Sequence, residues 1–171
     1  SSISLEMMGR SFNGTDKLMA PNKHFTEIKM GEMTVMKFSF DGTKGYQQQG
    51  PQKVDLSEAE IKESQDDKGP IPQLFYIGAD YKTEYLGSGK IGEETTYRLK
   101  IVMPSGRLSV QEYSAKTGLL LKEETTSKQG KEDIATTIEY KNYKKAGNIL
   151  VPTEITRNAG GQEFTIMYND I

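Results

Sequence analysis

The feature that most constrains this chain is an alternation of apolar and polar side chains with a period of two. In Thr34-Val35-Met36-Lys37-Phe38-Ser39-Phe40, one side of a strand carries Met36, Phe38 and Phe40. In Thr96-Tyr97-Arg98-Leu99-Lys100-Ile101-Val102-Met103, Tyr97, Leu99, Ile101 and Met103 share one side, with Arg98 and Lys100 on the other. Ile134 to Tyr140 and Phe164 to Tyr168 repeat the pattern. Successive side chains of a strand point to opposite faces, so such segments predict half-buried antiparallel strands.

Turn signals separate the runs. Asn13-Gly14, Asp41-Gly42, Ser105-Gly106, Thr117-Gly118, Gln129-Gly130, Gly147-Asn148 and Gly160-Gly161 each lie between apolar stretches. Such pairs tolerate the positive φ that tight hairpins demand. From Tyr81 to Ile171 the chain reads as a meander of hairpins, and Ile3 to Gln49 reads similarly with shorter strands.

One stretch breaks the rhythm. Val54 to Ser64 predicts a helix, with Ser57 as its N-cap and Glu60 completing a capping box. Leu56, Ala59 and Ile61 are its expected apolar contacts, and Gln65 to Pro70 ends it. The segment 54–79 is thus a helix plus an irregular excursion between two sets of strands. The predicted architecture is one domain over 1–171, mainly β (α+β). It is a curved antiparallel sheet, or half-barrel, of about ten or eleven strands covered by one helix, because twist accumulates in a sheet of that size. Burial of the concave face against that helix is expected to supply most of the stability. Ser1-Ser2-Ile3-Ser4-Leu5 has neither an initiator Met nor the look of a signal peptide, so a fragment of a longer chain is expected.

Composition narrows the function. The chain has no cysteine and one histidine, His24, which removes thiol chemistry and leaves too few ligands for a typical zinc hydrolase. The 22 basic and 24 acidic residues give a net charge of −2, with no electrostatic reason to expect nucleic acid. No apolar run approaches the ~20 residues of a membrane helix. His24-Phe25-Thr26-Glu27 begins an inverted zinc-protease motif, but Ile28 stands where the second His belongs. Gly87-Ser88-Gly89-Lys90-Ile91-Gly92 satisfies G-x-G-x-x-G but leads into a strand, which predicts a hairpin connection rather than a phosphate loop. Tyr140 to Lys145 interleaves aromatics with bases, a strand end with its lysines in water. The acidic groups at Glu58, Glu60 and Glu63, Asp66-Asp67 and Glu123-Glu124 read as solvated surface. No catalytic residue, metal site or cofactor is expected.

Met7, Met8, Met19, Met30, Met33 and Met36 fall within the first 36 residues. Flexible thioethers can repack around varied apolar partners, so a Met-rich sheet face is a candidate binding surface, with core filling as the alternative. The candidate residues are Met7, Met30, Met36, Phe38, Phe40 and Leu99, with Phe75 and Tyr76 as gates after the helix.

These segments, together with Ala20-Pro21-Asn22-Lys23, Tyr85-Leu86-Gly87, Tyr113 to Leu119 and Tyr140 to Pro152, resemble the LolA-like (outer-membrane lipoprotein carrier type) group. More narrowly, the chain is similar to the C-terminal non-peptidase region of bacterial pitrilysin/insulinase-type zinc proteases. The resemblance implies a curved sheet around a helix, an apolar concave surface, and a periplasmic place in the cell envelope. It implies a non-catalytic accessory or binding domain of a zinc protease-like protein. Its partners would be a hydrophobic ligand or a lipoprotein or peptide segment, and peptidase domains of the same parent. The alternatives are a fragment of a chain whose full length is a metalloendopeptidase, and a structural spacer or dimerisation module.

Overall fold

The computed structural model describes residues 1–69, 71–78, 80–129 and 132–170. Two sequence predictions, the turn at Gly130 and the helix-ending role of Pro70, fall outside them. The described chain forms β1 (Ser2–Met7), β2 (Arg10–Met19), β3 (Lys23–Met30), β4 (Met33–Phe40), β5 (Gly45–Gln49) and β6 (Gln52–Asp55). Then come α1 (Glu58–Asp66) and a 3-10 turn, Pro72–Phe75. The second half holds β7 (Lys82–Ile91), β8 (Glu94–Val102), β9 (Leu108–Ser114), β10 (Leu120–Gln129), β11 (Glu132–Ala146), β12 (Ile149–Ala159) and β13 (Gln162–Tyr168).

All thirteen described strands join one antiparallel sheet, in the order β6-β5-β4-β3-β2-β1-β13-β12-β11-β10-β9-β8-β7. The predicted ten or eleven is therefore corrected upward. The difference lies partly in β5 and β6, where Gln47-Gln48-Gln49 and Gln52-Lys53 show no apolar alternation and earn their place by ladder hydrogen bonds at the sheet edge. β6 and β7 end the order on opposite edges, so the sheet is open.

The register sorts side chains onto two faces. Leu5 pairs with Phe12 and Ile166, Gly14 with Ile3 and Ile28, and Met36 with Ile28, placing them on one inner face. Ile3, Leu5, Phe12 and Ile28 form one buried cluster there, packed by Met7, Val35, Phe164, Ile166 and Tyr168. Gly14 is not a turn residue as predicted but mid-strand in β2. A Cβ there would lie 2.3 Å from the Glu27 carbonyl oxygen and 2.8 Å from Ile28 Cδ1, so close packing is what demands glycine. The real β1–β2 turn is Met8-Gly9, both at positive φ. Gly87 to Ile91 likewise belong to β7, which bulges at Leu86, and only Gly92 of that motif turns.

A recess beneath α1 has Gln47 of β5 and Thr136 of β11 among its walls. These strands stand seven ladder steps apart. On a flat sheet that is about 34 Å. A cavity of about 270 Å³ cannot bridge such a distance, so the sheet is strongly bent around it.

The capping box at the start of α1 is as the sequence predicts: Ser57 N donates to Glu60 Oε2 at 2.8 Å and Glu60 N to Ser57 Oγ at 3.3 Å. Val54 and Asp55, predicted helical, belong to β6 instead. The role of the helix also differs from expectation. Its single buried residue is Asp66, Ala59 is exposed, and Leu56 sits just before it. The i, i+3, i+4, i+7 set facing the sheet is Glu60, Glu63, Ser64 and Asp67, all polar. The helix therefore does not supply the apolar cover that was expected. The second buried cluster comes instead from beyond it, where Tyr76 and Tyr81 pack on Ile101 and Met103 of the β8 end.

Candidate functional site

Hydrogen bonds and ion pairs anchor the excursion across the inner face. Asp66 accepts from Ser105 N at 3.2 Å and from Ser105 Oγ, and Arg107 Nε lies 3.8 Å away. Burial raises the Asp66 carboxyl above its ordinary range, against the Ser105 bonds and Arg107, which lower it. Arg107 also pairs with Asp67, and its Nε approaches Met103 Sδ at 3.2 Å. The Tyr81 hydroxyl donates to the Asp66 carbonyl at 3.0 Å. Gln111 Nε2 donates to the Tyr76 hydroxyl at 3.2 Å.

Two recesses open on the sheet. One is an apolar, open cleft of about 470 Å³, lined by Tyr85, Tyr97, Leu99, Tyr113, Ser114, Ala115 and Gly118. The register puts Tyr85 beside Leu99, and Tyr97 beside Tyr113, on the face that holds Ile101. Tyr85 and Tyr97 meet edge to face with centroids 6.2 Å apart. The volume lies within the range usual for small-molecule sites.

The other recess lies beneath α1. Its walls are Phe38, Leu56, Ile134, Ala159 and Phe164, with Glu60, Glu63, Asp67, Arg107 and Arg157 as its charged groups. Glu60 is held by the cap and Asp67 by Arg107, and Glu63 is likewise engaged. Arg157, on β12, pairs across the ladders with Ile138 and Phe164. Among the described residues, no hydrogen bond or ion pair engages its guanidinium.

The sequence candidates are distributed among these places. Leu99 lines the apolar cleft and Phe38 the charged cavity. Met7 packs against the first cluster. Phe40, 3 % exposed, is buried, its strand partner being Gly45. Tyr76, 8 % exposed, is a core residue rather than an open gate, because its ring packs on Tyr81 and its hydroxyl takes the bond from Gln111. Met30, Met36 and Phe75 are exposed and line neither recess. Sequence reasoning missed Tyr85, Tyr113, Arg107 and Arg157. The available signal for Arg157 was its parity with Ile155 and Ala159, which puts a cation in an inward slot.

His24 does not join Glu27. They face opposite sides of β3: Glu27 pairs with Lys29 and Lys37, whereas His24 Nε2 lies 3.0 Å from Asp16 Oδ1. Thr26 Oγ1 donates to the same Asp16 oxygen at 2.6 Å, and the Tyr168 hydroxyl to Asp16 Oδ2 at 3.1 Å. Burial works to raise the Asp16 carboxyl, but these bonds and the His24 charge outweigh it and hold it below its ordinary value. Among the described residues no three acidic or histidine side chains converge as metal ligands.

Comparison with solved structures places the fold. A LolA superfamily protein from Nitrosomonas europaea superposes with a TM-score of 0.62 at 15% identity, covering 99% of this chain and 81% of that one. A DUF1329 family protein from Desulfovibrio piger gives 0.61 at 14% identity, over 98% and 81%. A domain from Vibrio parahaemolyticus, described as an outer membrane lipoprotein-sorting protein, gives 0.62 at 14% identity, over 99% and 81%. The fold is therefore LolA-like. No family model matches the sequence, and no curated protein matches it.

Proposed function

We propose that this chain is a non-catalytic binding domain that holds a hydrophobic ligand on the inner face of its bent sheet. The observation that carries the reading is the open apolar cleft of about 470 Å³ walled by Tyr85, Tyr97, Leu99 and Tyr113. Exposed aromatic surface of this kind is costly to leave in water and gains on covering, at ~25 cal/mol per Å² of apolar area. Tyrosine supplies an apolar ring with few rotamers to freeze, which lowers the entropy lost on binding. The LolA-like fold, with a lipoprotein-sorting domain among its structural neighbours, supports the same reading and a place in the cell envelope. No helix among the described residues is long and apolar enough to cross a membrane. Attachment to peptidase domains rests on the sequence resemblance alone. Its test is an H-x-x-E-H helix elsewhere in the same gene product.

The test of binding is titration of delipidated protein with N-phenyl-1-naphthylamine, a neutral fluorescent hydrophobe. Saturable uptake is expected, weakened at least tenfold by Leu99→Gln in a variant with unchanged circular dichroism. Absence of saturable uptake would favour a structural spacer.

A further inference from the structure

The open sheet has two edges, and they are not alike. β6 offers four residues behind Pro51. Leu56 N donates to the Gly45 carbonyl at 2.9 Å, so the residues in step with it, Val54 and Gln52, bond to β5. Only Lys53 and Asp55 turn their backbone groups outward. A short edge with a charge at each outward position is a poor template for another strand.

β7 runs ten residues without proline. Its neighbour fixes which of its backbone groups are free. Ala115 N donates to the Thr95 carbonyl and Met103 N to the Arg107 carbonyl, both at 2.9 Å. The odd-numbered residues of β8 therefore bond to β9, and the even-numbered ones to β7. Through the register, Lys82, Glu84, Gly87, Gly89 and Ile91 face β8, and Thr83, Tyr85, Ser88 and Lys90 turn their N–H and C=O away from it. These four stand opposite Ile101, Leu99, Tyr97 and Thr95, so they keep the even spacing of a regular strand across the bulge at Leu86. Among the described residues no strand and no loop backbone bonds to them.

The same four residues point their side chains to the inner face, with Leu99 and Ile101. The apolar cleft begins at this edge with Tyr85, 58 % exposed, beside Tyr97, 47 % exposed. Water hydrates the free edge, so the edge by itself selects no partner. An extended segment laid on β7 exchanges that water for a ladder and, in the same register, aims every second side chain over the cleft. A lipid tail covers the cleft but leaves the backbone groups as they were. A second copy of β7 fits less well. The one antiparallel register that pairs all four outward residues sets Lys90 against Thr83 and Lys82 against Ile91, so neither lysine meets an acid. A peptide supplies carboxylates at both places, exposed contacts that set register more than affinity.

We propose that β7 is a strand-addition site for an extended peptide segment. The segment runs antiparallel to β7, pairs with Thr83, Tyr85, Ser88 and Lys90, and buries alternate apolar side chains against Tyr85 and Tyr97. The proposal rests on the cleft as the binding surface and names polypeptide as the class of its ligand.

The probe is acetyl-Glu-Thr-Val-Thr-Leu-Thr-Val-Glu-amide, whose glutamates fall opposite Lys90 and Lys82, titrated calorimetrically into delipidated protein. Two backbone-methylated twins accompany it. Methylating the nitrogens of both Val and of Leu blocks the edge that faces β7, and methylating those of the three Thr blocks only the other edge. The first twin is expected to bind at least tenfold more weakly than the parent peptide, and the second within about twofold of it. Ser88→Pro deletes one outward N–H and no ladder bond. It is expected to weaken the parent peptide at least fivefold and to leave N-phenyl-1-naphthylamine uptake unchanged. Twins that bind alike, a parent peptide that does not bind, or a Ser88→Pro variant that folds and binds it normally overturns strand addition. The twins decide the matter even where Ser88→Pro fails to fold. A dimer that forms without peptide and slows amide exchange at Thr83, Tyr85, Ser88 and Lys90 puts a second copy on the edge and overturns it too. Retained N-phenyl-1-naphthylamine uptake then leaves the broader reading standing, and its absence removes both.

Discussion

Asp66 is the hinge-pin of the excursion, and its two simplest substitutions should differ in an informative way. Asp66→Ala removes both bonds from Ser105 and the nearby charge for Arg107. Two bonds to a charged acceptor are worth about 4 kcal/mol together, and relief of the burial penalty returns about 1 kcal/mol, leaving a loss of about 3 kcal/mol. Asp66→Asn keeps an acceptor for Ser105 and removes the buried charge, so its loss should be about 1 kcal/mol. For a chain of this size these correspond to melting points lowered by about 9 °C and about 3 °C. The pH dependence carries the same sign. Burial raises the folded carboxyl above the unfolded value of 3.8, so the native state holds the proton longer. Stability contributed at this group is therefore greatest below the unfolded value and declines as pH rises through the folded one. Asp66→Asn should abolish that decline. The assay is urea unfolding of the three proteins between pH 4 and pH 7, read by far-ultraviolet circular dichroism. An Asn variant as unstable as the Ala variant at pH 7 would refute the reasoning, because it would mean the charge itself holds the excursion down.

Asp16 should behave with the opposite sign. Its folded carboxyl lies below 3.8, so the stability it contributes is present above that value and is lost as pH falls through the folded one. Asp16→Asn should flatten this part of the acid-unfolding curve and cost about 2 kcal/mol at pH 7. Glycines of two kinds should separate: Gly14→Ala, whose Cβ would meet the Glu27 carbonyl, should cost about 3 kcal/mol. Gly92→Ala, at φ +58° with open space around it, should cost only about 1 kcal/mol, both measured by urea midpoint.

The strands were legible wherever one face is buried and the other is not. Tyr97, Leu99 and Ile101 alternate with Arg98 and Lys100 because the ladders with β7 and β9 put the first set inward. The cap of α1 was legible because Ser57 and Glu60 act on each other three residues apart. Gly14 was misread because turn chemistry and close packing both select glycine, and only the pairing of Ile3 and Ile28 with it tells them apart. The sheet-facing side of α1 was not legible because Glu60, Glu63, Ser64 and Asp67, though spaced as one helix face, are polar and so read equally well as a solvated side. The two recesses were not legible at all. The recess beneath α1 arises where strands distant in sequence, such as β5 and β11, meet across a bend whose tightness no local pattern encodes.

The claim on which the account stands is that the inner face near β7, β8 and β9 holds a greasy ligand. It is tested most directly by nuclear magnetic resonance of isotope-labelled protein titrated with N-phenyl-1-naphthylamine. Amide shifts at Tyr85, Tyr97, Leu99 and Tyr113 that saturate at one equivalent are the expected result. Shifts that never saturate, or that gather instead at the exposed Met8, Met30 and Met33, would contradict it.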